Sequence, residues 1–228
     1  MFEDALRYPY DDGEGLRALA IGGLLAVLSF LLLPAIVVSG YTLRVLRQVD
    51  AGDEHLPSFA DPVALFVDGL KAIAVALAYL VVPIVLVAFA AVALFVPVTG
   101  TPPTWLSAIA AIISVLSVPV FLLALYALPA GLVALARTDR MGAAFSRREL
   151  SPTLRSGSYL VAWLLALVVT LVAGFVGGAA SATALVGWLL AAFVGFYANL
   201  VGAYLYARGV REARPVESGE EGVAGIVA

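Results

Sequence analysis

Three long stretches without a charged residue limit what this chain can fold into. They cover residues 18–43, 72–136 and 156–207, and none contains an Asp, Glu, Lys, Arg or His. A helix of roughly 20 apolar residues crosses a bilayer core about 30 Å thick. The first stretch is therefore long enough for one crossing, and the second and third for two each. A large soluble core would need polar helix faces at a period of 3.6 residues, and these stretches have none.

The composition agrees with a membrane location. Of 228 residues, 63% are hydrophobic and 13% are charged, whereas soluble domains have about 45–50% apolar and about 25% charged residues. We therefore predict an all-α protein, a polytopic helical bundle in the cell membrane with about five transmembrane helices. The chain has no cysteine, which excludes disulfides and thiolate metal sites.

Turn-forming clusters divide the second and third stretches at residues 97–104 and 177–183, because proline and glycine in such density end helices. The predicted crossing helices then cover residues 71–96, 105–136, 158–176 and 184–207. The second of these is longer than a crossing requires and contains Pro119 and Pro129. We expect it to bend or to emerge from the bilayer.

The chain divides into three segments. An acidic and aromatic interfacial segment covers residues 1–17, and the transmembrane helical domain covers residues 18–211. The tail over residues 212–228 is rich in glycine and glutamate and is expected to be disordered. Basic residues lie in alternate loops and after the last helix, which places those loops and the carboxyl terminus in the cytoplasm.

The first stretch has two interpretations because Pro34 interrupts it. In a membrane helix proline kinks more often than it breaks, since neighbouring helices satisfy the freed carbonyl. The stretch is then one crossing helix, and five crossings place the amino terminus outside. Alternatively, it is a hairpin bent at Pro34 that returns to the cytoplasmic side. We favour the crossing, because each half of a hairpin would be short.

Two short helices are expected to lie at the membrane surface before crossing helices begin. An oxygen-bearing N-cap is followed by a proline at residues 61–62 and again at residues 151–152. After the first of these starts, apolar residues fall on one side of the helix, while the other side carries Asp61, Asp68 and Lys71. This pattern is typical of a helix at headgroup level that precedes a crossing.

Small residues four positions apart form a stripe on the last predicted helix and a pair on the preceding one. These helix-packing candidates are Gly174, Gly178, Gly187, Ala191, Gly195, Asn199 and Ala203. Small residues at this spacing let two helix backbones approach closely, and an asparagine amide can hydrogen-bond across the seam. The pattern fits packing within the bundle, and it also fits self-association through this face.

The loop after the third predicted helix is rich in arginine. Its candidates for contact with lipid or a partner are Arg137, Arg140, Arg147, Arg148 and Arg155. Their density fits anionic headgroups or a cytoplasmic partner, and it also fits a plain positive-inside anchor. We expect membrane lipids as partners, together with a second copy of the chain or another membrane protein, and no nucleic acid.

The uncharged stretches offer no catalytic pair. Their serines have no histidine or lysine in the same stretches to activate them, and hydroxyls in a bilayer usually bond to helix backbones. His55 is the single histidine, and it lacks a second ligand at metal-binding spacing. We therefore predict a non-enzymatic membrane component without cofactor or metal. The alternative, suggested by prolines within the helices, is a permease for a neutral or lipophilic solute.

The charged residues also indicate a habitat. Of the thirteen cations, Lys71 is the only lysine, and the loops are dominated by carboxylates. Acidic, lysine-poor surfaces stay hydrated in strong brine, which favours a halophile. Ordinary acidic loops encoded by a GC-rich genome explain the same bias.

Several segments of the chain resemble one known family. They read "ALRYPYDDGEGLRALAIGGLL", "LLLPAIVVSGYTLRVLRQVDAGDEHLPSF", "DPVALFVDGLKAIAVALAYLVVP" and "GAAFSRRELSPTLRSGSYLVAW". Together they resemble the archaeal membrane proteins grouped as domain of unknown function 4013. The resemblance covers nearly the whole chain except the acidic tail. It implies an archaeal source, which the acidic loops narrow to a haloarchaeal one, and it implies no catalytic residue.

Overall fold

A computed structural model describes residues 1–9, 13–95, 104–181 and 183–214. Within these ranges the α-helices are α1 (Phe2–Arg7), α2 (Gly13–Val27), α3 (Leu32–Ala51), α4 (Pro62–Phe95), α5 (Thr104–Thr138), α6 (Arg147–Leu154), α7 (Gly157–Ser181) and α8 (Ala184–Ala213). Two 3-10 helices, Leu28–Phe30 and Met141–Phe145, lie between them. The all-α prediction is confirmed.

Four helices in the described part of the chain are long and apolar enough to cross a membrane. Their apolar spans are Pro62–Val92, Ser107–Thr138, Gly157–Ser181 and Val186–Ala213. Many outward apolar side chains on them are exposed, among them Leu77 by 61% and Phe175 by 80%. Apolar exposure on this scale is unusual for a soluble monomer and marks a surface that meets lipid or protein. The chain is a multi-pass helical membrane protein.

The crossing helices form two antiparallel pairs. Helices α4 and α5 make one pair and α7 and α8 the other, while α3 contacts α4, α5 and α8. Polar side chains of these helices meet at one end of the bundle, which we call the charged end. It is marked by Arg47, Asp68, Asp139 and Arg211.

The first uncharged stretch is a helical hairpin rather than one crossing helix. Helix α2 begins near Phe59 at the charged end and runs antiparallel to α8, with the ring of Phe196 against Gly22. Helix α3 returns parallel to α8, and its last turn meets the end of α8 where Asp50 pairs with Arg214. This corrects the preferred prediction in favour of its alternative.

The hairpin turns at Leu31 and not at Pro34. Leu31 has an extended backbone, with φ −84° and ψ 129°, between the 3-10 helix and α3. Pro34 lies in the first turn of α3, where a backbone N–H would have no intrahelical acceptor in any case. The proline therefore helps to start a helix instead of kinking one.

The first predicted surface helix is part of a longer helix. Asp61 does cap it, since its Oδ1 accepts a hydrogen bond from the backbone N–H of Ala64 at 3.1 Å. However, α4 continues from Pro62 to Phe95 without interruption. On the polar side of its first turns, Asp68 pairs with Arg47 of α3 and Lys71 pairs with Asp139, which follows α5. The predicted surface helix is therefore the first part of α4.

A separate short helix does precede α7 near the second predicted start, but it begins earlier than expected. It is α6, whose N-cap is Ser146. Ser151 is therefore a helical residue and not a cap, and Pro152 lies inside the helix. In so short a helix the proline removes only one backbone hydrogen bond, to the carbonyl of Arg148.

Helix α5 runs unbroken through both of its prolines. Pro129 has no N–H to offer the carbonyl of Leu125, which lies four residues earlier. The indole Nε1–H of Trp163 in α7 donates to that carbonyl at 3.1 Å. Beside it, the hydroxyl of Tyr159 donates to the carbonyl of Tyr126 at 2.7 Å. A neighbouring helix therefore satisfies the backbone group that proline frees, as a bilayer requires.

Some predicted boundaries shift and others lie outside the described residues. Helix α7 continues through residues 177–178 to Ser181, so the glycine pair does not end it. Helix α8 continues into the predicted tail as far as Ala213. Residues 97–103 of the predicted loop at 97–104, and residues 215–228 of the predicted tail at 212–228, lie outside the described residues. Thr104, the last residue of that predicted loop, begins α5.

Helices α3 and α4 approach very closely at one glycine in each. A β-carbon on Gly40 would overlap the carbonyl oxygen of Leu65, and one on Gly69 would overlap the carbonyl oxygen of Ile36. Glycine permits this approach because it has no β-carbon. Neither glycine has a small residue four positions away, so the stripe pattern used in the sequence analysis did not reveal this contact.

Cysteine labelling tests the hairpin, since the chain has no native cysteine. In sealed vesicles, Glu3→Cys and Ala213→Cys should react with a membrane-impermeant maleimide from the same side, because the hairpin returns the chain to the charged end. Trp105→Cys, at the far end of α5, should react only from the other side and serves as the control. Labelling of Glu3→Cys and Ala213→Cys from opposite sides would show that the first stretch crosses.

Candidate functional site

Arg47 of α3 joins three helices at the charged end. Its Nε donates to the carbonyl of Ala136 in α5 at 2.9 Å, and its NH1 lies 3.3 Å from Asp68 Oδ2 in α4. Its NH2 lies 3.8 Å from Asp139 Oδ1, which also accepts a hydrogen bond from Lys71 Nζ at 2.8 Å. One guanidinium therefore links α3 to both members of the α4–α5 pair.

The predicted membrane-surface residues Asp68 and Lys71 belong to this network. The Asp68 side chain is only 13% exposed, so it faces protein and not the headgroups. The hydrogen bond from Lys71, aided by the Lys71 and Arg47 charges, lowers the pKa of Asp139 below its usual value. The contact with Lys71 therefore favours the ionised form of the Asp139 carboxylate.

Arginines near the end of α8 are also bonded to protein groups. Arg208 donates to Asp4 of α1 at 2.6 Å and to the hydroxyl of Tyr204 at 2.9 Å. Arg211 donates to the carbonyl of Val49, near the end of α3, at 2.9 Å. These bonds hold α1 and α3 to α8. The guanidinium groups of both arginines therefore have partners within the protein.

Four arginines between α5 and α7 behave differently, and we call them the arginine surface. They are Arg140, Arg147, Arg148 and Arg155, all exposed. Among the described residues, no carboxylate forms an ion pair with any of them. The fifth predicted member, Arg137, pairs with Glu149. An unpaired guanidinium keeps its donors available for a phosphate or carboxylate from another molecule.

Two apolar side chains lie beside the arginine surface. Met141 and Phe145, at the ends of the 3-10 helix before α6, are exposed by 42% and 48%. Tyr79 of α4 fixes this helix by donating its hydroxyl to the carbonyl of Ala144, and Gly131 leaves room for the tyrosine ring. Exposed apolar residues next to unpaired cations are typical of a segment at the membrane–water interface.

The predicted helix-packing residues divide into two groups, and the first packs within the chain. A β-carbon on Gly187 would overlap the carbonyl oxygen of Ala180, at the end of α7. A β-carbon on Gly177 would lie 3.3 Å from that of Ala191, and Ala203 is buried. At Gly187 and Ala191 the stripe therefore brings α8 against α7.

The second group faces open space. A β-carbon on Gly174, Gly178 or Gly195 would meet nothing within 4 Å. These glycines line a cavity of about 430 Å³ between α7 and α8, together with Thr170 and Asn199. We call this cavity the α7–α8 groove. Protein interiors and interfaces are close-packed, so in a membrane this groove needs a lipid chain or another helix to fill it.

Asn199 gives the groove a polar group within the apolar span of α8. The hydroxyl of Thr42 in α3 donates to its Oδ1 at 2.7 Å. No described residue accepts a hydrogen bond from its amide N–H groups, and the residue is exposed. Unsatisfied donors in hydrocarbon are costly, so this amide favours an acceptor on a neighbouring molecule.

The sequence analysis missed Met141 and Phe145. They lie four residues apart and are flanked by Arg140 and Arg147, which is the signal that could have identified an interfacial segment. It also missed Arg214, which lies near the arginine-rich loop although α7 and α8 separate them in sequence. No local sequence pattern indicates that Arg214 lies near this loop, since their contact depends on how α8 packs against α5.

One known protein family matches the segment that contains most of these helices. A family model described as "Protein of unknown function (DUF4013)" matches residues 27–182. The chain belongs to this family. In this DUF4013 protein, α3 through α7 and the arginine surface lie within the matched segment, and α8 follows it. No curated protein and no solved structure matches the chain.

Replacing Arg47 tests the network at the charged end. Arg47→Met should lower the free energy of unfolding in detergent by about 2–4 kcal/mol, because it leaves Asp68 buried without its partner. Arg47→Met combined with Asp68→Asn should lose less than Arg47→Met alone, since a neutral amide is easier to bury. Arg155→Met, at an unpaired exposed site, is the control and should change stability by about 0.5 kcal/mol or less. Equal losses for Arg47→Met and Arg155→Met would contradict the role assigned to Arg47.

Proposed function

We propose that this DUF4013 protein is a non-enzymatic component of the cell membrane that binds anionic lipid headgroups and associates laterally with a second copy of itself. The arginine surface is the observation that carries the proposal. Its four guanidinium groups have no carboxylate partner among the described residues. A basic residue near an anionic membrane surface contributes about 1 kcal/mol of attraction.

The position of the arginine surface supports contact with headgroups. It follows the end of the α5 span and precedes the α7 span, so it lies where the chain leaves and re-enters the apolar layer. Met141 and Phe145 are exposed at the same place and supply apolar contacts at the acyl boundary. Charge and apolar contact together bind a membrane surface better than either does alone.

The charged end is proposed to face the cytoplasm. It collects the basic ends of α3, α5 and α8, and basic residues in short loops stay on the cytoplasmic side. The α2–α3 hairpin brings the amino terminus to the same end, which also places Arg7 and Arg17 there. A single crossing by the first stretch would have put these two arginines on the opposite side.

The α7–α8 groove supports association with a second copy. Around a two-fold axis the same groove meets itself, and small residues let the backbones approach closely. Asn199 then has an acceptor, because the amide oxygen of one copy can accept from the amide N–H of the other. A second copy therefore supplies both the volume and the hydrogen bond that one chain lacks at this groove.

Glutamine variants test the lipid contact. In neutral detergent, added phosphatidylglycerol should raise the Tm of the wild-type protein more than phosphatidylcholine does, and salt should reduce the difference. The combined variant Arg140→Gln, Arg147→Gln and Arg155→Gln should lose the salt-dependent part of this gain. The matched variant with lysine at the same three positions keeps the charge and should retain most of it. An undiminished gain in the glutamine variant would contradict the proposal.

Leucine variants test the self-association. Gly174→Leu combined with Gly195→Leu fills the groove, and the β-carbon of each new side chain meets nothing within 4 Å in the same chain. Energy transfer between labelled copies in liposomes should therefore fall several-fold, and Gly142→Leu, at an open site outside the groove, should leave it unchanged. Gly187 is unsuitable for this test because a side chain there would collide with Ala180 of the same chain. Unchanged energy transfer in the double variant would rule out this face.

A further inference from the structure

We infer that the charged end contains a pocket for one phosphodiester group of an anionic lipid, located between α5, α6 and α8. The inference rests on the proposed function and assigns part of its lipid contact to one defined site. A cavity of about 170 Å³ lies at this position. At about 30 Å³ for each water it has room for roughly six waters, which is more than a phosphate group requires.

The polar lining of the pocket is mainly basic. It consists of Arg137 from α5, Arg148, Glu149 and Thr153 from α6, and Arg214 after α8. Apolar side chains of the same three helices complete the wall, among them Ala130 and Val210. The three guanidinium groups come from segments that are distant in sequence, so the pocket exists only in the folded bundle.

The charges at the pocket leave one positive charge unmatched. Arg137 pairs with Glu149, and Arg214 pairs with the buried Asp50. Arg148 forms no ion pair with a described residue. Three arginines less two carboxylates leave a charge of +1. A phosphodiester carries one negative charge and neutralises the site, whereas a fully ionised phosphate monoester would exceed it.

Two donors at the pocket lack an acceptor. Thr153 as a residue is only 5% exposed, and its hydroxyl forms no hydrogen bond with a described residue. The Nε–H of Arg214 is fully buried without an acceptor among the same residues. Leaving a buried donor such as this Nε–H unsatisfied costs about 1–3 kcal/mol. A phosphate oxygen accepts well from both hydroxyl and guanidinium groups.

The level of the pocket favours a lipid over free phosphate. Arg137 lies in the last turn of α5, and Arg214 follows the end of α8, so the pocket opens where the apolar spans end. Ala130 belongs to the α5 span and extends the wall toward the acyl layer. Basic pockets between transmembrane helices at this level are suited to lipid headgroups.

Counting the lipid that remains bound tests the pocket. The full chain is purified in mild neutral detergent, exposed to phosphatidylglycerol and washed, and retained lipid is counted by native mass spectrometry. We expect one lipid for each chain, and no retention of phosphatidylcholine. Arg148→Gln and Thr153→Val should each lower retention about tenfold, while Thr153→Ser, which keeps the hydroxyl, and Arg140→Gln, outside the cavity, should retain it.

Three results would overturn the inference. Full retention in both Arg148→Gln and Thr153→Val would exclude the pocket. Loss of retention in Thr153→Ser as well would show that packing and not the hydroxyl holds the lipid. Release of the lipid by millimolar glycerol phosphate would assign the site to a soluble phosphate ester. These results do not affect the salt-dependent gain in Tm that depends on Arg140, Arg147 and Arg155. The proposed function is therefore tested independently of the pocket. Thermal unfolding without lipid confirms that each variant is folded.

Discussion

The close contact between α3 and α4 at Gly40 and Gly69 sets the geometry of the charged end. With the backbones touching there, Arg47 lies two turns further along α3 and reaches Asp68 in α4, next to the contact, and also the end of α5. A β-carbon at either glycine would move the helices apart and lengthen these bonds. An unpaired charge is costly in a bilayer because little water is present to solvate it. The close glycine contact is therefore needed for α3, α4 and α5 to bring their charged side chains together.

Pairing at the charged end explains why some arginines are left over. The segment from Arg137 to Arg155 contains two carboxylates, Asp139 and Glu149. Lys71 and Arg137 already occupy them. The remaining arginines of this segment therefore have no carboxylate within it, which is why we propose an external anion for them. By contrast, arginines near the ends of α3 and α8 have partners within the protein. The packing of α1, α3 and α8 places carbonyl and carboxylate oxygens within reach of their guanidinium groups.

The sequence correctly predicted features that depend on segment length and on local side-chain chemistry. It did not predict features that depend on contact with a helix distant in sequence. Uncharged runs gave the helical class and the crossing pairs α4–α5 and α7–α8, and the N-cap at Asp61 follows from its own oxygen. The first run is long enough to cross, but it forms a hairpin that turns at Leu31, and Phe196 of α8 packs on Gly22 of its first helix. Likewise, Asp68 looks like a water-facing residue until Arg47 of another helix is placed opposite it. Periodicity within one segment carries no information about such partners.

The same bilayer constraint separates the polar groups that the fold satisfies from those that it leaves for other molecules. Inside the α5 span, Trp163 satisfies the carbonyl freed by Pro129. At the hairpin turn, the N–H of Leu31 bonds to the carbonyl of Leu28 at 2.8 Å. Two polar groups are left open by the described residues: the amide N–H groups of Asn199 and the hydroxyl of Thr153. The first lies beside an unfilled groove of small residues and the second among three arginines. These surroundings are the basis on which we propose a helix for the groove and a phosphate for the pocket.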